Sequence, residues 1–157
     1  MLTMTLSETP GAVKRFRRSS WRFQETFQTP LKDLQRFVAA IISAHGAIQS
    51  GSVVFDSVVF DPKHVIATLT KHSLPITYGR DWELAAVGRG EVAELLESVL
   101  SDWIDFIFVP KPRPFVIYAD HDEFITFYTN TKSNLNFMLD TLSSGGFKRV
   151  QNYQRHL

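Results

Sequence analysis

The 157-residue sequence contains no cysteine. A chain without cysteine has no disulfide framework, no thiol nucleophile, no iron–sulfur cluster and no cysteine-built zinc site. Long hydrophobic runs are missing too: the longest uncharged apolar stretch, Phe37 to Ile42, is far shorter than the roughly 20 residues that cross a bilayer. No apolar export segment follows the early arginines. These features predict a protein without a membrane span and with a cytoplasmic location.

Several motifs that carry chemistry are also missing. The sequence has no phosphate-binding Gly-x-x-x-x-Gly-Lys-Ser/Thr loop, no zinc-binding His-Glu-x-x-His and no Gly-x-Ser-x-Gly elbow. The five histidines are scattered, and nothing nominates a nucleophilic serine. The sequence alone therefore assigns no catalytic residue, no metal ligand and no cofactor, although an active site can assemble from scattered residues.

The composition is that of one globular domain. Hydrophobic residues make up 44% of the chain and charged residues 21%, which excludes a disordered or fibrous protein. A chain of this length buries about two thirds of its unfolded surface, enough for one sizeable core. We expect residues 1–22 to form a flexible basic N-terminal arm and residues 23–157 to form a single α+β domain.

Helical periodicity marks four segments of the chain. Apolar residues recur at three- and four-residue spacing after Thr29, a suitable helix cap, and Gly46 is the expected end of this first helix. A protonated His45 would be favourably placed near its C-terminus. The four predicted helices span residues 30–45, 62–72, 90–103 and 132–143.

Strand patterns fill most of the remaining chain. Val53 to Phe60 is rich in β-branched and aromatic residues and predicts a strand with a bend near Asp56, whereas residues 76–87 fit a strand or a helix. Short polar connections then join three strands of an antiparallel β-meander: Asp105–Val109, Pro114–Ala119 and Phe124–Thr129. A helix and an edge strand over residues 147–150 follow. We predict an α+β fold, a largely antiparallel sheet packed with about four helices.

The net charge of +1 hides an uneven distribution along the chain. Residues 1–22 hold five basic residues and one acidic residue, whereas ten acidic residues face three basic ones between Asp81 and Glu123. We call this second stretch the acidic band. It repels phosphate and disfavours nucleic acid as a partner. The basic arm is the exception, through Lys14, Arg15, Arg17 and Arg18.

Two short segments are candidates for a small-molecule site. Gly88, Arg89 and Gly90 precede a helix, where backbone N–H groups would suit an anion. This loop resembles the pyrophosphate-binding loop of the acetyltransferase superfamily, although Ala85 stands where that pattern has Gln or Arg. Asp120–Glu123 holds three carboxylates and an imidazole, which suit a divalent cation or acid–base chemistry. The structural alternatives, a tight connection and a solvated hairpin tip, are preferred for both segments.

The leading functional hypothesis is a non-catalytic protein-binding module of the immunity or inhibitor type. Aromatic residues make up 13% of the chain, and an exposed aromatic patch ringed by acids would dock a basic protein. The alternative is a small enzyme or ligand-binding protein that uses Asp120–Glu123 or Gly88–Gly90. The residues expected at the partner surface are Glu94, Glu97, Asp102, Asp120, His121, Asp122, Glu123 and Tyr128.

Overall fold

Helices and antiparallel strands alternate along the first part of the chain, and the last three strands adjoin. The structure is a computed structural model that describes residues 3–44 and 48–157. Its strands are β1 (Met4–Glu8), β2 (Phe23–Gln28), β3 (Ser50–Ser57), β4 (Trp82–Val87), β5 (Asp105–Lys111), β6 (Val116–Ala119) and β7 (Phe124–Thr129). Its helices are α1 (Ala12–Arg18), α2 (Leu34–Ser43), α3 (Lys63–Lys71), α4 (Arg89–Ser101) and α5 (Lys132–Ser144).

The seven strands form one sheet in the order β1-β4-β3-β5-β6-β7-β2, and every neighbouring pair is antiparallel. The predicted α+β fold is therefore confirmed. The β-meander is present as β5, β6 and β7, and β7 has the predicted bounds, Phe124–Thr129. This register brings the β6–β7 turn to the same end of the sheet as the connections that follow β3 and α4.

Both faces of the sheet carry apolar side chains, because successive strand residues point to opposite sides. On one face, Phe55, Phe106 and Phe127 are fully buried in the main core beneath α2, α3, α4 and α5. On the other face, Phe16 of α1 packs on Tyr118, with ring centroids 6.0 Å apart. The four predicted helices, present as α2 to α5, lie on one face of the sheet, and the short α1 covers part of the other.

The N-terminal segment is the main correction to the predicted domain organisation. Instead of a flexible arm, residues 4–8 form the edge strand β1, which pairs with β4, and residues 12–18 form α1. The two carboxylate oxygens of Asp81 accept hydrogen bonds from the Gly11 and Val13 backbone N–H groups at the start of α1. A carboxylate at a helix N-terminus satisfies donors that have no partner within the helix.

Several element boundaries differ from the prediction. β3 starts at Ser50 and ends at Ser57, with an irregular register after Phe55 where the bend was expected, and residues 82–87 form a strand. The first predicted helix begins later, at Leu34, after a 3-10 turn over Leu31–Asp33. Its predicted end at Gly46 and the neighbouring His45 lie outside the described residues.

The predicted edge strand over residues 147–150 is reduced to a single bridge, between Arg149 and Phe27. The Val150 N–H still donates to the Thr26 carbonyl, so this segment follows β2 without becoming a strand. Across the described ranges, no helix combines the length and the apolar character that a membrane crossing requires.

Candidate functional site

Three connections meet at one end of the sheet and form the candidate site. They are the β3–α3 loop, the α4–β5 turn and the β6–β7 turn, residues 58–62, 102–104 and 120–123. An open depression of about 370 Å³ lies between them. We call this place the acidic corner, defined by the residues that line the depression: Phe60, Trp103, His121, Asp122 and Glu123.

The β6–β7 turn is shaped by Asp120. Its Oδ1 accepts hydrogen bonds from the backbone N–H groups of Asp122 and Phe124, at 2.9 and 3.1 Å, a turn in which aspartate mimics backbone. Its Oδ2 accepts a 2.6 Å hydrogen bond from Arg155, so the carboxylate is held by an ion pair. Glu123 closes the turn with a φ of +73°. Asp120 therefore builds the turn rather than lining the depression.

His121 is held by a buried carboxylate at the start of β5. The His121 backbone N–H donates to Asp105 Oδ1 at 2.7 Å, and the ring Nδ1 lies 2.9 Å from the same oxygen. The hydrogen bond to Asp105 raises the pKa of His121 above its ordinary value, against the opposing effect of burial. The second ring nitrogen, Nε2, lies 3.8 Å from Asp122 Oδ1. Nδ1 is thus engaged by Asp105, and Nε2 is the nitrogen left for a ligand or a proton.

A second histidine–aspartate pair lies on the adjoining elements. Asp102 Oδ1 is 2.6 Å from His64 Nδ1 and accepts from the His64 backbone N–H, while Asp102 Oδ2 accepts from the Val65 N–H at 2.8 Å. The buried Asp102 carboxylate thereby satisfies the first turn of α3. Asp102 and Asp105 flank the α4–β5 turn, so one short connection supplies the acid of both pairs.

Two aromatic side chains complete the acidic corner. Phe60 is 54% exposed, and its ring centroid lies 6.4 Å from that of His121 at a steep interplanar angle of 72°. Trp103 adopts a φ of +54° in the α4–β5 turn. The Asp122 side chain is 77% exposed, and its only ion pair among the described residues is the contact with His121. Aromatic faces next to carboxylates suit a cation.

The structure brings some of the predicted partner-surface residues together and buries others. His121, Asp122 and Glu123 line the acidic corner as a group. Asp102 and Tyr128 were predicted at the partner surface, but both are buried, and Tyr128 is only 2% exposed beneath Phe16 and Trp21. Burial in this apolar cluster raises the pKa of Tyr128 to about 12. Neither side chain can touch a partner in this structure.

Glu94 and Glu97 lie on α4 rather than in the acidic corner. Glu94 forms an ion pair with Lys71 of the adjoining α3 and a hydrogen bond with His72, the residue after that helix, both at 2.7 Å. Burial would raise the pKa of Glu94, but the hydrogen bonds from Lys71 and His72 outweigh it and lower the pKa. For Glu97, burial and the nearby Glu94 charge raise the pKa. The charge of Glu94 is therefore already compensated.

Many carboxylates of the acidic band form hydrogen bonds or ion pairs within the protein. These carboxylates cap helices, hold a histidine or pair with a basic side chain, so the band presents less exposed charge than its composition suggests. Acidic residues with such contacts include Asp81, Glu94, Asp102, Asp105 and Asp120.

The glycine-rich loop and the basic segment also form contacts within the protein. The Gly88 N–H donates to the Gln49 carbonyl at 2.7 Å, and a Cβ on Gly88 would lie 2.5 Å from Glu91 Oε2. A carboxylate thus already sits at the start of α4, where an anion was the alternative prediction. In α1, Arg17 pairs with Asp56, and Arg15 Nη1 donates to the Pro10 carbonyl.

The sequence prediction missed Phe60, Trp103 and the pairing of His64 with Asp102. Phe60 ends a hydrophobic run and was assigned to a strand, whereas β3 stops at Ser57 and leaves the ring in a loop.

Within the described ranges, no group of three or more His, Asp and Glu side chains is arranged to hold a metal ion. The chain matches no protein-family model, no curated protein and no solved structure. Function is therefore inferred from the geometry of the acidic corner.

Proposed function

We propose that this protein is a non-catalytic protein-binding module that docks a basic protein at the acidic corner, as immunity and inhibitor proteins do. The observation that carries the proposal is the half-exposed Phe60 ring beside His121 and the exposed Asp122 carboxylate. Aromatic side chains are enriched at protein interfaces, and complementary charge around them steers association. The proposal includes a cytoplasmic location for the protein.

The chemistry of the depression favours a lysine or arginine side chain from the partner. Phe60 and Trp103 line the depression and can attract a cation through their π systems, and Asp122 and Glu123 supply opposite charge. The flexible tip of a basic side chain fits an open depression of about 370 Å³. Complementary charge also accelerates encounter, so association should slow as salt rises.

Site-specific photo-crosslinking tests the proposal in the cells that make the protein. p-Benzoylphenylalanine is introduced at position 60 and, as the matched control, at position 137, where Phe137 on α5 is 51% exposed. The expected result is one dominant adduct with a basic protein at position 60 that is missing at position 137. Adding Asp122→Lys and Glu123→Lys should abolish it, whereas Asp140→Lys on α5 should not.

Four outcomes of this experiment contradict the proposal. The first is the same set of adducts from both positions, which would mean that the corner has no preferred partner. The second is an adduct at position 60 that survives charge reversal of Asp122 and Glu123, and the third is no adduct at position 60. An acidic adduct in place of a basic one would also overturn the charge argument.

A second candidate function, acid–base catalysis, is favoured by the two histidine–aspartate pairs. In each pair a buried carboxylate engages Nδ1, which orients the ring and leaves Nε2 to exchange a proton. We would measure hydrolysis of p-nitrophenyl acetate and bis-p-nitrophenyl phosphate. A general base at position 121 requires a rate that rises with pH through the raised pKa of His121 and is lost in His121→Gln but not in His156→Gln. A hydrolysis rate equal to that of buffer alone would exclude acid–base catalysis of these esters.

A further inference from the structure

An arginine from the segment after α5 is bound in a pocket on the sheet face that α1 partly covers. The pocket lies over β6 and β7, and the Arg155 side chain in it is only 9% exposed. The guanidinium donates to Asp120 Oδ2 at 2.6 Å and to the Thr126 hydroxyl at 3.0 Å. Its Cζ lies 4.8 Å from the Tyr118 ring centroid, and Nη2 lies 3.5 Å from the Phe124 carbonyl oxygen. A carboxylate, a hydroxyl and an aromatic ring together favour arginine over lysine.

Contacts that do not involve Arg155 hold the walls of this pocket in place. Asp120 Oδ1 accepts from the N–H groups of its own turn, and the Tyr118 hydroxyl donates to a buried carboxylate of β3. The Thr126 hydroxyl also lies 2.8 Å from the hydroxyl of Thr26 on β2. The pocket is therefore preorganised for a guanidinium. Its binding atoms can be reached from the side through which Arg155 now enters.

The main chain of Arg155 is recognised as well, through the Gln24 side chain on β2. The Arg155 N–H donates to Gln24 Oε1 at 2.9 Å, and Gln24 Nε2 donates to the Arg155 carbonyl at 3.3 Å. A side-chain amide that pairs with both main-chain groups of one residue recognises a peptide rather than a free guanidinium compound. Two residues earlier, the Tyr153 ring packs on Phe124 with ring centroids 4.9 Å apart. The site therefore fits an aromatic-x-arginine sequence within a peptide.

Two side chains anchor the part of the chain that carries Arg155. Residues 151–157, which we call the Arg155 segment, form no helix or strand. All of its residues except Tyr153 and Arg155 are exposed. A segment with so little buried surface opens locally at a low cost in free energy. Its displacement would leave a preformed pocket open to a second arginine.

We propose that this pocket binds an arginine residue of a partner protein, and that the Arg155 segment is a built-in competitor for it. The partner supplies an aromatic-x-arginine sequence, and its guanidinium replaces that of Arg155 on Asp120 and Thr126. Because one arginine is exchanged for another, no buried charge loses its counter-ion.

A partner needs a second contact in order to displace the Arg155 segment. A tethered ligand competes at an effective concentration of about a millimolar, which a dilute partner cannot match through one arginine alone. The acidic corner supplies that contact, because the β6–β7 turn that contains Asp120 also carries the His121, Asp122 and Glu123 side chains. This step alone rests on the proposed function.

The test is an NMR titration of the isotope-labelled full chain with an unlabelled synthetic peptide of residues 151–157, acetylated and amidated. A chain with Tyr153→Ala and Arg155→Ala lacks both anchors, so the peptide should shift its amide signals in β2 and β7. The parent should bind the peptide at least about tenfold more weakly, because its own segment occupies the pocket. A peptide with citrulline in place of arginine keeps the shape without the charge, and it should bind the variant about tenfold more weakly.

Arg149→Ala is the matched control. Arg149 precedes the Arg155 segment and forms an ion pair with Glu25 at 2.7 Å, so this variant loses an arginine without opening the pocket. It should bind the peptide as weakly as the parent does. Arg155→Lys is the milder variant, since it keeps a cation beside Asp120 but loses the planar guanidinium. It should bind the peptide more tightly than the parent, and it tests the proposal if the double variant does not fold.

Four results would overturn the proposal. They are equal binding by the parent and the Arg155 variants, equal binding of the arginine and citrulline peptides, no amide shifts in a folded Arg155 variant, and shifts confined to the acidic corner. The last result would leave the proposed function intact. Conversely, a failure of the photo-crosslinking at position 60 would leave this pocket intact, because the peptide titration does not depend on the corner.

Discussion

The Tyr118 hydroxyl donates a 2.6 Å hydrogen bond to Oδ2 of Asp56, a buried carboxylate 62 residues earlier in the chain. Arg17 of α1 and Arg80 of the loop before β4 bond to the same carboxylate. Burial alone would raise the pKa of Asp56, but the hydrogen bonds from Tyr118, Arg80 and Arg17 outweigh it and lower the pKa. One carboxylate on β3 therefore joins α1, β6 and the α3–β4 loop on the sheet face that α1 covers.

Replacing this carboxylate should destabilise the protein in a pH-dependent way. Asp56→Asn should cost about 2 kcal/mol at pH 7, because it removes the charge from three hydrogen-bonding partners. A lowered folded-state pKa means that the contribution is present above the unfolded-state pKa, about 3.9, and is lost as the pH falls through the folded value. Urea unfolding at pH 7 and below pH 3 measures the difference.

Asp140→Asn, at an exposed position on α5, is the control and should change the unfolding free energy by less than about 0.5 kcal/mol. If Asp56→Asn cost as much below pH 3 as at pH 7, the stabilisation would not come from the ionised carboxylate.

The ion pair between Arg17 and Asp56 should hold α1 against the sheet. Its guanidinium is partly exposed, so Arg17→Gln should lower the global unfolding free energy by no more than about 1 kcal/mol. α1 is short and buries only Val13 and Phe16, and local opening should therefore become easier. Hydrogen exchange of the α1 amides should accelerate in Arg17→Gln and stay unchanged in the control Arg18→Gln. Equal protection in both variants would show that the contacts of Asp81 and Phe16 are enough to hold α1 against the sheet.

His121 should stabilise the fold only while it is protonated. The hydrogen bond to Asp105 raises its folded-state pKa, so the contribution is fully present below the unfolded value of about 6.5 and is lost as the pH rises through the folded value. The ring is partly exposed, and solvent screening limits the effect to about 0.5 kcal/mol. His121→Gln should be less stable than the parent at pH 5.5 and equal to it at pH 9 when both are unfolded in urea. A stability gap independent of pH would mean that packing on Phe60, rather than charge, holds the ring.

Two glycine substitutions should act in opposite directions. A Cβ at Gly51 of β3 would lie 2.6 Å from Cε1 of the buried Phe108, so Gly51→Ala should cost about 1–3 kcal/mol through overpacking. At Gly90 in α4 an added Cβ meets no described atom within 4 Å, and Gly90→Ala should stabilise by about 0.5 kcal/mol through helix propensity. Thermal unfolding compares the two, and stabilisation by Gly51→Ala would contradict the packing around Phe108.

Local patterns were informative where one element faces one layer of the core. The span of α5 and the bounds of β7 follow from apolar periodicity and from turn residues, and the structure places them within one residue of the prediction. α1 escaped prediction because a seven-residue helix with Val13 and Phe16 as its buried residues is too short for a periodic signal. Its cap, Asp81, is 70 residues away from Gly11 in sequence.

The acidic corner shows the same division between local and long-range information. The sequence identified His121, Asp122 and Glu123 as one turn, because aspartate and its neighbours favour tight turns. It could not identify Phe60, since a hydrophobic residue after a strand pattern fits the strand as well as the loop. Nor could it separate an exposed acid from one engaged inside the protein.

The sequence by itself determined the α+β class, the antiparallel meander and most of the helices, because these follow from spacing along the chain. Only the tertiary structure decided which charges remain for a partner. His121 finds Asp105 across 16 residues and His64 finds Asp102 across 38, and such contacts depend on strand order rather than on local spacing. Thr29 is a further example. It was predicted to cap the helix, but the helical segment begins later, after Pro30, and the Thr29 hydroxyl is buried without a hydrogen-bond partner among the described residues.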